Sequence, residues 1–331
     1  MKFNKLIILS IFLVSLFIFA CNTTTNSDQE NPDPVLHPED VFSQEILSQI
    51  RSHYGIGDNE LEITYIGNHG YLFSTLSKKI LIDSLSEIEG GYERTSRVIL
   101  TMLNEAEFPF NNIDLALTTH SHGDHFNADS AVNFLIANSQ TTHLSTNEVD
   151  GILQTSSGYN QIQSQSIGIT PDPSTRYQTG IAEITVDVIR IDHHLSASGD
   201  EHVAFLFSLN GIKILHVGDA CKIPAQYEGL GLEGENIDIL VAPFGSSCAN
   251  WTVGTEEENA YDIINQYIKP KHIIVSHLSF ETTAAEIEAT IDTLEENCPG
   301  ITFSVFHPTI LKQMIYIKEE GSIRVIDKPT S

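Results

Sequence analysis

The chain has 331 residues, enough for one large domain or two small ones with a full hydrophobic core. It carries 17 Lys and Arg against 44 Asp and Glu, a formal charge of −27 at pH 7 with histidine neutral. So acidic a chain gains nothing from counterion release on DNA or RNA and has no electrostatic hold on anionic lipid, which argues against a nuclease and leaves a small molecule as the expected partner.

Lys2 and Lys5 precede an apolar run from Leu6 to Phe19 in which only Ser10 and Ser15 are polar. That is a secretory n-region and h-region, too short for a comfortable membrane span. Ile18, Ala20 and Cys21 follow in an order that resembles a bacterial lipoprotein cleavage box, with Phe19 bulkier than usual at its position. The resemblance implies a signal peptide over 1–20, a lipidated Cys21 as the membrane anchor, and a periplasmic or cell-surface location. Removing residues 1–20 takes away two lysines and no acids, so the mature charge becomes 15 − 44 = −29. The three other cysteines, Cys221, Cys248 and Cys298, are odd in number and widely spaced, which is no disulfide framework and leaves room for one incidental pair.

Residues 21–40 are polar and proline-containing, as expected of a flexible tether, and a domain is expected over 41–331. Phe42, Ile46 and Ile50 recur at helical spacing before a stop at Gly55. Strands are expected over 61–67, 71–73 and 79–83, the last ending in Asp83, a carboxylate at the end of a buried strand that needs partners. His69, between Gly67 and Gly70, reads equally as a substrate contact or as an exposed loop residue. A helix is expected over 96–108, a strand over 113–117 and a second helix over 129–137, whose N-terminal end would point toward the residues just before it.

Those residues are the most informative in the chain. Leu117-Thr-Thr-His120-Ser-His122-Gly-Asp124-His125 puts four potential metal ligands within six residues at a strand end. In extended chain His120 and His122 point the same way and can close on one ion, while Gly123 lets the chain turn Asp124 and His125 toward a second. Imidazole and carboxylate suit zinc and neighbouring first-row metals.

Beyond it, 141–145 reads as a strand with His143 structural, and 154–180, rich in Ser, Gln, Gly and Pro, as a long connection able to shape a pocket. The strand 184–191 runs into Asp192-His193-His194, and the parity of Ile189 and Ile191 carries His193 rather than His194 inward. Asn210-Gly211 marks a hairpin between strands over 203–208 and 212–217, the second followed by Gly218-Asp219. His216 has the opposite parity and reads as structural. The apolar run 237–244 predicts a strand buried on both faces, 256–267 a helix, and 270–277 a strand ending in His277, with His272 at its far end. A last helix over 284–294 and strands near 301–306, 313–317 and 323–326 close the chain.

The H-x-H-x-D-H string resembles the signature of the metallo-β-lactamase superfamily of metallohydrolases. The Gly67-x-x-Gly70 hairpin, the Ile82-Asp83 strand end, Gly218-Asp219 and Pro270-Lys-His…Ser-His277 extend the resemblance over roughly residues 60 to 310. It implies an α/β fold, a four-layer αββα sandwich of two mixed sheets with outer helices. It further implies two divalent metal ions, most readily zinc: His120, His122 and His193 on one, Asp124, His125 and His277 on the other, Asp219 shared. Asp83 would accept a hydrogen bond from a ligating histidine, and Asp124 would also act catalytically, orienting a metal-bridging hydroxide or moving its proton. His125 and Asp219 stand where lactam-cleaving members carry arginine and cysteine, which argues against β-lactams. His122, where the diiron redox members carry glutamate, points to hydrolysis. The arrangement is most similar to the lactonase and phosphodiesterase-like branch, implying hydrolysis of an ester, lactone or phosphodiester. The alternative is a surface lipoprotein that binds metal or ligand without turnover.

Overall fold

Strand ends organise this protein. In a computed structural model that describes residues 57–86, 95–193, 200–244, 251, 259–279, 281–307 and 311–325, two mixed sheets stack face to face. The first has eight strands, β1 Glu60–Gly67, β2 Gly70–Ser74, β3 Lys79–Ile82, β4 Leu115–Leu117, β5 Thr142–Ser145, β6 Ser166–Gly168, β14 Gln313–Ile317 and β15 Ser322–Val325, in the order β15-β14-β1-β2-β3-β4-β5-β6. The second has seven, β7 Arg176–Ile181, β8 Ile184–Arg190, β9 Val203–Leu209, β10 Ile212–His216, β11 Ile239–Pro243, β12 His272–Ser276 and β13 Thr302–Val305, in the order β13-β12-β11-β10-β9-β8-β7.

Alternation along the strands splits the core in three. Leu61, Ile63, Phe73, Val186, Val188, Phe205 and Phe207 point between the sheets and interdigitate there. Ile189, Leu215, Leu240 and Ile273 point the other way, against a helix spanning Ala260–Ile268 and the helix Ala284–Asn297, while Leu72, Leu81 and Ala116 face helices α1 (Arg97–Asn104) and α2 (Ala128–Ala137). The helix–sheet–sheet–helix layering expected from the sequence is therefore present. It follows from strands that are apolar on both faces.

Within each sheet the strands that carry the motifs run parallel: β3, β4 and β5 in one, β10, β11, β12 and β13 in the other. Parallel neighbours put their C-terminal ends on one edge, which is where open α/β sheets place their sites. Capping keeps the intervening helices in register. Ser96, Asn127 and Thr283 each accept a backbone N–H from the first turn, and Thr283 forms a reciprocal capping box with Glu286.

The region 154–180 departs from the long loop expected. A helix α3, Asn147–Gln154, ends in its first residue, a short helix α4 spans Tyr159–Ile162, and β6 and the start of β7 complete the crossover between the sheets. Gly151 lowers helix propensity within α3, while β6 is only three partly buried residues long and β7 is largely exposed, so neither strand leaves an apolar period to read. The expected helix before Gly55 lies outside the described residues, as do Cys21 and Cys248. Cys221 and Cys298 form no disulfide among the described residues and are buried in the apolar layer behind the second sheet. Among the described residues, no helix is long and apolar enough to cross a membrane.

Candidate metal centre

Each ligand-type side chain is delivered by a strand end that stops where the sheets would otherwise continue. Beyond β4 the chain stays tied to both neighbours: Asp83 N–H donates to Leu117 O and Thr118 N–H to Leu144 O, at 3.0 and 3.1 Å. Val203 N–H donates to Thr119 O at 3.0 Å, lacing the motif to the second sheet. The chain then turns, with the N–H groups of His125 and Phe126 both donating to His122 O, and enters α2. This turn is what separates the motif into two sets.

Two groups result, in each of which the potential ligand atoms lie within 4.8 Å of one another. His120, His122 and His193 form the first. Asp124, His125, Asp219 and His277 form the second. Asp219 touches both: its Oδ2 is 3.5 Å from His193 Nε2 and 3.1 Å from His277 Nε2, while its Oδ1 is 3.4 Å from His125 Nε2. All seven residues named from the sequence thus meet at one edge. His194 lies outside the described residues.

His193 arrives for a reason other than strand parity. Ile189 and Ile191 point to the outer face of their sheet, not between the sheets, and β8 ends at Arg190. The irregular turn of 191–193 then brings the imidazole back to the centre, 5.0 Å from the His120 ring and 4.8 Å from that of His122.

Beneath the seven lies a frame of hydrogen bonds. Asp83 accepts from Thr119 N–H at 2.8 Å, Thr119 Oγ1–H at 2.7 Å and His125 Nδ1–H at 3.0 Å. That fixes the His125 tautomer and presents Nε2 to the centre, the arrangement that orients ligating histidines. His216 donates from Nε2 to His69 O and accepts Gly218 N–H at Nδ1. His202 holds Ile191 O at 2.7 Å. Gly218 has φ +54°, and a Cβ there would lie 2.7 Å from His202 Nε2 and 2.8 Å from Thr119 Oγ1, so only glycine lets Asp219 reach this position. Asp83 and His277 also adopt left-handed backbone, at φ +44° and +56°. Strain of this kind, about 1–3 kcal/mol per residue, persists where surrounding contacts over-determine it.

The electrostatics call for cations. Burial alone would strip protons from His125 and His277, yet the carboxylates of Asp219 and Asp124 outweigh it. They push His125 well above the ordinary imidazole value and His277 up to about 9. Burial would raise the Asp219 carboxyl, but His277 and His125 hold it well below its usual range. His120, buried beside other imidazoles, is held neutral. His120 Nε2, His125 Nε2 and Asp219 Oδ1 are buried and make no hydrogen bond. Buried polar atoms without partners are costly, and a nitrogen–oxygen set converging at this spacing is what divalent metals take. The residues present therefore fit two metal ions. Among the described residues no cysteine joins either group.

Of the two readings of His69, the exposed loop residue fails. His69 is fully buried, with its ring 5.9 Å from that of His125 and 5.7 Å from that of His277. Asn68, not anticipated at all, donates from Nδ2 to Asp124 O and Oδ2, both at 3.2 Å. The available signal was the turn itself, a two-residue loop between Gly67 and Gly70 with Asn68 in left-handed backbone at φ +45°. Solvent reaches the centre at His122, whose side chain is 38% exposed and whose Nε2 lies 3.6 Å from Asp200 Oδ2.

Comparison with known proteins agrees with this geometry. Residues 62–277 match the family model described as a beta-lactamase superfamily domain. The chain belongs to that superfamily. A UPF0173 metal-dependent hydrolase of Staphylococcus carnosus is 24% identical over 227 residues, 66% of this chain and 85% of that protein. In structure, the metallo-β-lactamase fold protein YhfI of Bacillus subtilis (12% identity, 77% of this chain, 99% of that one) and the metallo hydrolase Igni18 of Ignicoccus hospitalis (15%, 78%, 98%) each superpose with a TM-score of 0.50. At these identities the two structures speak for the fold alone, which is the metallo-β-lactamase sandwich.

Proposed function

We propose that this superfamily member is a dinuclear metallohydrolase that cleaves an ester, lactone or phosphodiester bond with water. The observation carrying the reading is Asp219, a buried carboxylate in contact with histidines of both ligand groups. His120, His122 and His193 would hold one ion and Asp124, His125 and His277 the other, with zinc favoured by an all-nitrogen-and-oxygen donor set. Two bound cations would supply a water acidic enough to react near neutral pH and a Lewis acid for the developing oxyanion.

The chain's own residues do the rest. Asp124 is the acidic member with most access to solvent, its side chain 19% exposed, and Asn68 fixes its Oδ2. It is placed to orient the attacking water and to pass its proton toward the leaving group. The His277 and His125 rings close the back of the centre, so substrate approaches from the side of His122 and Asp200. The named metal-dependent hydrolase of Staphylococcus carnosus supports the reaction class.

The test is metal analysis of purified protein combined with a screen across lactones, carboxylic esters, thioesters and phosphodiesters. About two equivalents of metal and turnover on at least one class are expected. Metal-loaded protein inactive on every class would favour a binding lipoprotein instead. We propose also that Cys21 carries the lipid that anchors this domain outside the cytoplasm. A Cys21→Ser protein is expected to leave the membrane fraction for the soluble one, and continued membrane partitioning would refute the anchor.

A further inference from the structure

The ligand assignment leaves one imidazole at the centre without a role. His69 is 0% exposed, and neither of its ring nitrogens makes a hydrogen bond. It does not belong to either ligand group. Burying an imidazole with both nitrogens unsatisfied is unfavourable, so the position asks for a partner close by.

The nearest carboxylate oxygen is Asp219 Oδ1, 3.7 Å from His69 Nδ1. That oxygen is buried and makes no hydrogen bond either. The other oxygen, Oδ2, is the one lying between His193 and His277, hence between the two groups. A donor on Oδ1 would therefore set the rotation of the carboxylate about its own axis.

His69 is rigid enough to do this. Its carbonyl accepts from His216 Nε2 at 3.0 Å, and the carbonyl before it, Asn68 O, accepts from Ser276 Oγ at 3.2 Å and from His277 N at 3.4 Å. A Cβ at Gly70 would lie 2.8 Å from Asp83 O and 2.9 Å from Ser84 Oγ, so the turn sits flush against the end of β3. The His216 ring packs on the imidazole at 4.4 Å. Backbone and ring are both clamped, and only a shift of roughly 0.7 Å separates Nδ1 from hydrogen-bond distance, the kind of tightening that follows occupation of a site.

We propose that His69 is a positioning residue: it donates its Nδ1–H to Asp219 Oδ1 and holds that carboxylate in the rotation that bridges the two ions. The proposal rests on the dinuclear reading and adds to it a residue that touches neither metal.

Three variants of the full chain separate this role from plain packing. In His69→Asn the amide Nδ2 stands about where Nδ1 does, His69→Gln carries its donor one atom further out, and His69→Leu has none. Each is melted to confirm folding, then titrated with zinc against a chromophoric chelator and, separately, loaded with Co(II) for its visible spectrum. His69→Leu and His69→Gln are expected to weaken one of the two ions about 10–100-fold and to alter the Co(II) bands, while His69→Asn stays within about threefold of wild type. If only packing mattered, His69→Asn, which leaves the largest void, would fare worst. That order, or three variants binding like wild type, would overturn the proposal alone. If His69→Asn loses the ion as fully as His69→Leu, His69 is a ligand and the positioning role is wrong. A wild-type protein that takes up no zinc would remove the dinuclear reading and this inference together.

Discussion

Replacing Asp219 by alanine is expected to lower kcat/KM by on the order of 10³-fold or more, with the protein still folded. The side chain is a buried carboxylate in contact with histidines of both ligand sets, at 3.1 Å from His277, 3.4 Å from His125 and 3.5 Å from His193. Its removal uncouples the sets and leaves the second with two imidazoles and the part-exposed Asp124. About 4 kcal/mol of lost transition-state stabilisation corresponds to that factor. Asp219→Asn tests charge against shape. The amide fills the same space but supplies a donor where two acceptors are needed, so it is expected to recover no more than about tenfold of the loss. Both variants are compared by kcat/KM and metal content on the best substrate of the screen. Activity of Asp219→Ala within tenfold of wild type would show that the carboxylate is not shared.

Asp83→Ala is expected to be the most destabilising change at the site, by about 3–5 kcal/mol, because it strands the buried Nδ1–H of His125 and two donors of Thr119. For a chain of this size that corresponds to a fall in Tm of about 10 °C. Asp83→Asn tolerates the left-handed backbone and keeps one acceptor, so it is expected to lose about half as much while weakening metal binding by about 10–100-fold. The pH dependence follows from the sign of the shift. Burial would raise the Asp83 carboxyl, but the charge and hydrogen bond of His125, the charge of His216 and the Thr119 N–H together lower it below its ordinary value. A carboxyl lowered on folding contributes stability that is fully present above its unfolded value, near 4, and is lost as pH falls through its folded value. The stability gap between wild type and Asp83→Asn, read from urea melts, is therefore expected to be constant above about pH 5 and to narrow below pH 4. A gap that widens on acidification would contradict it.

The sequence revealed most where chemistry is local. His120 to His125 are read together because the ligand types are neighbours, and Asn210-Gly211 marks its hairpin because I′ turns demand those residues; both adopt positive φ, at +50° and +71°. His277 and Asp219 were legible because long apolar strands end at them. His193 does reach the centre, but the parity that pointed to it stops at Arg190, three residues too early to carry the argument. What stayed hidden depends on contacts between distant segments. The hydrogen bond from His216 to His69 O joins residues 147 apart, and Tyr71 meets Ser276 across 205. No periodicity in either strand announces such a pairing, so a turn between two glycines reads as readily as a surface loop as it does as part of a site. Helix α3 and the edge strands β6 and β7 were missed for the opposite reason, having too little buried surface to impose a pattern.

The proposed reaction needs two cations to meet seven side chains. Crystals of the zinc-loaded protein, measured on both sides of the zinc absorption edge, test that directly. Two anomalous peaks about 4 Å apart are expected, one among His120, His122 and His193, the other among Asp124, His125 and His277, with Asp219 reaching both. A map with no peak at this edge of the sheets, or with a single ion that leaves either group out of reach, would contradict it.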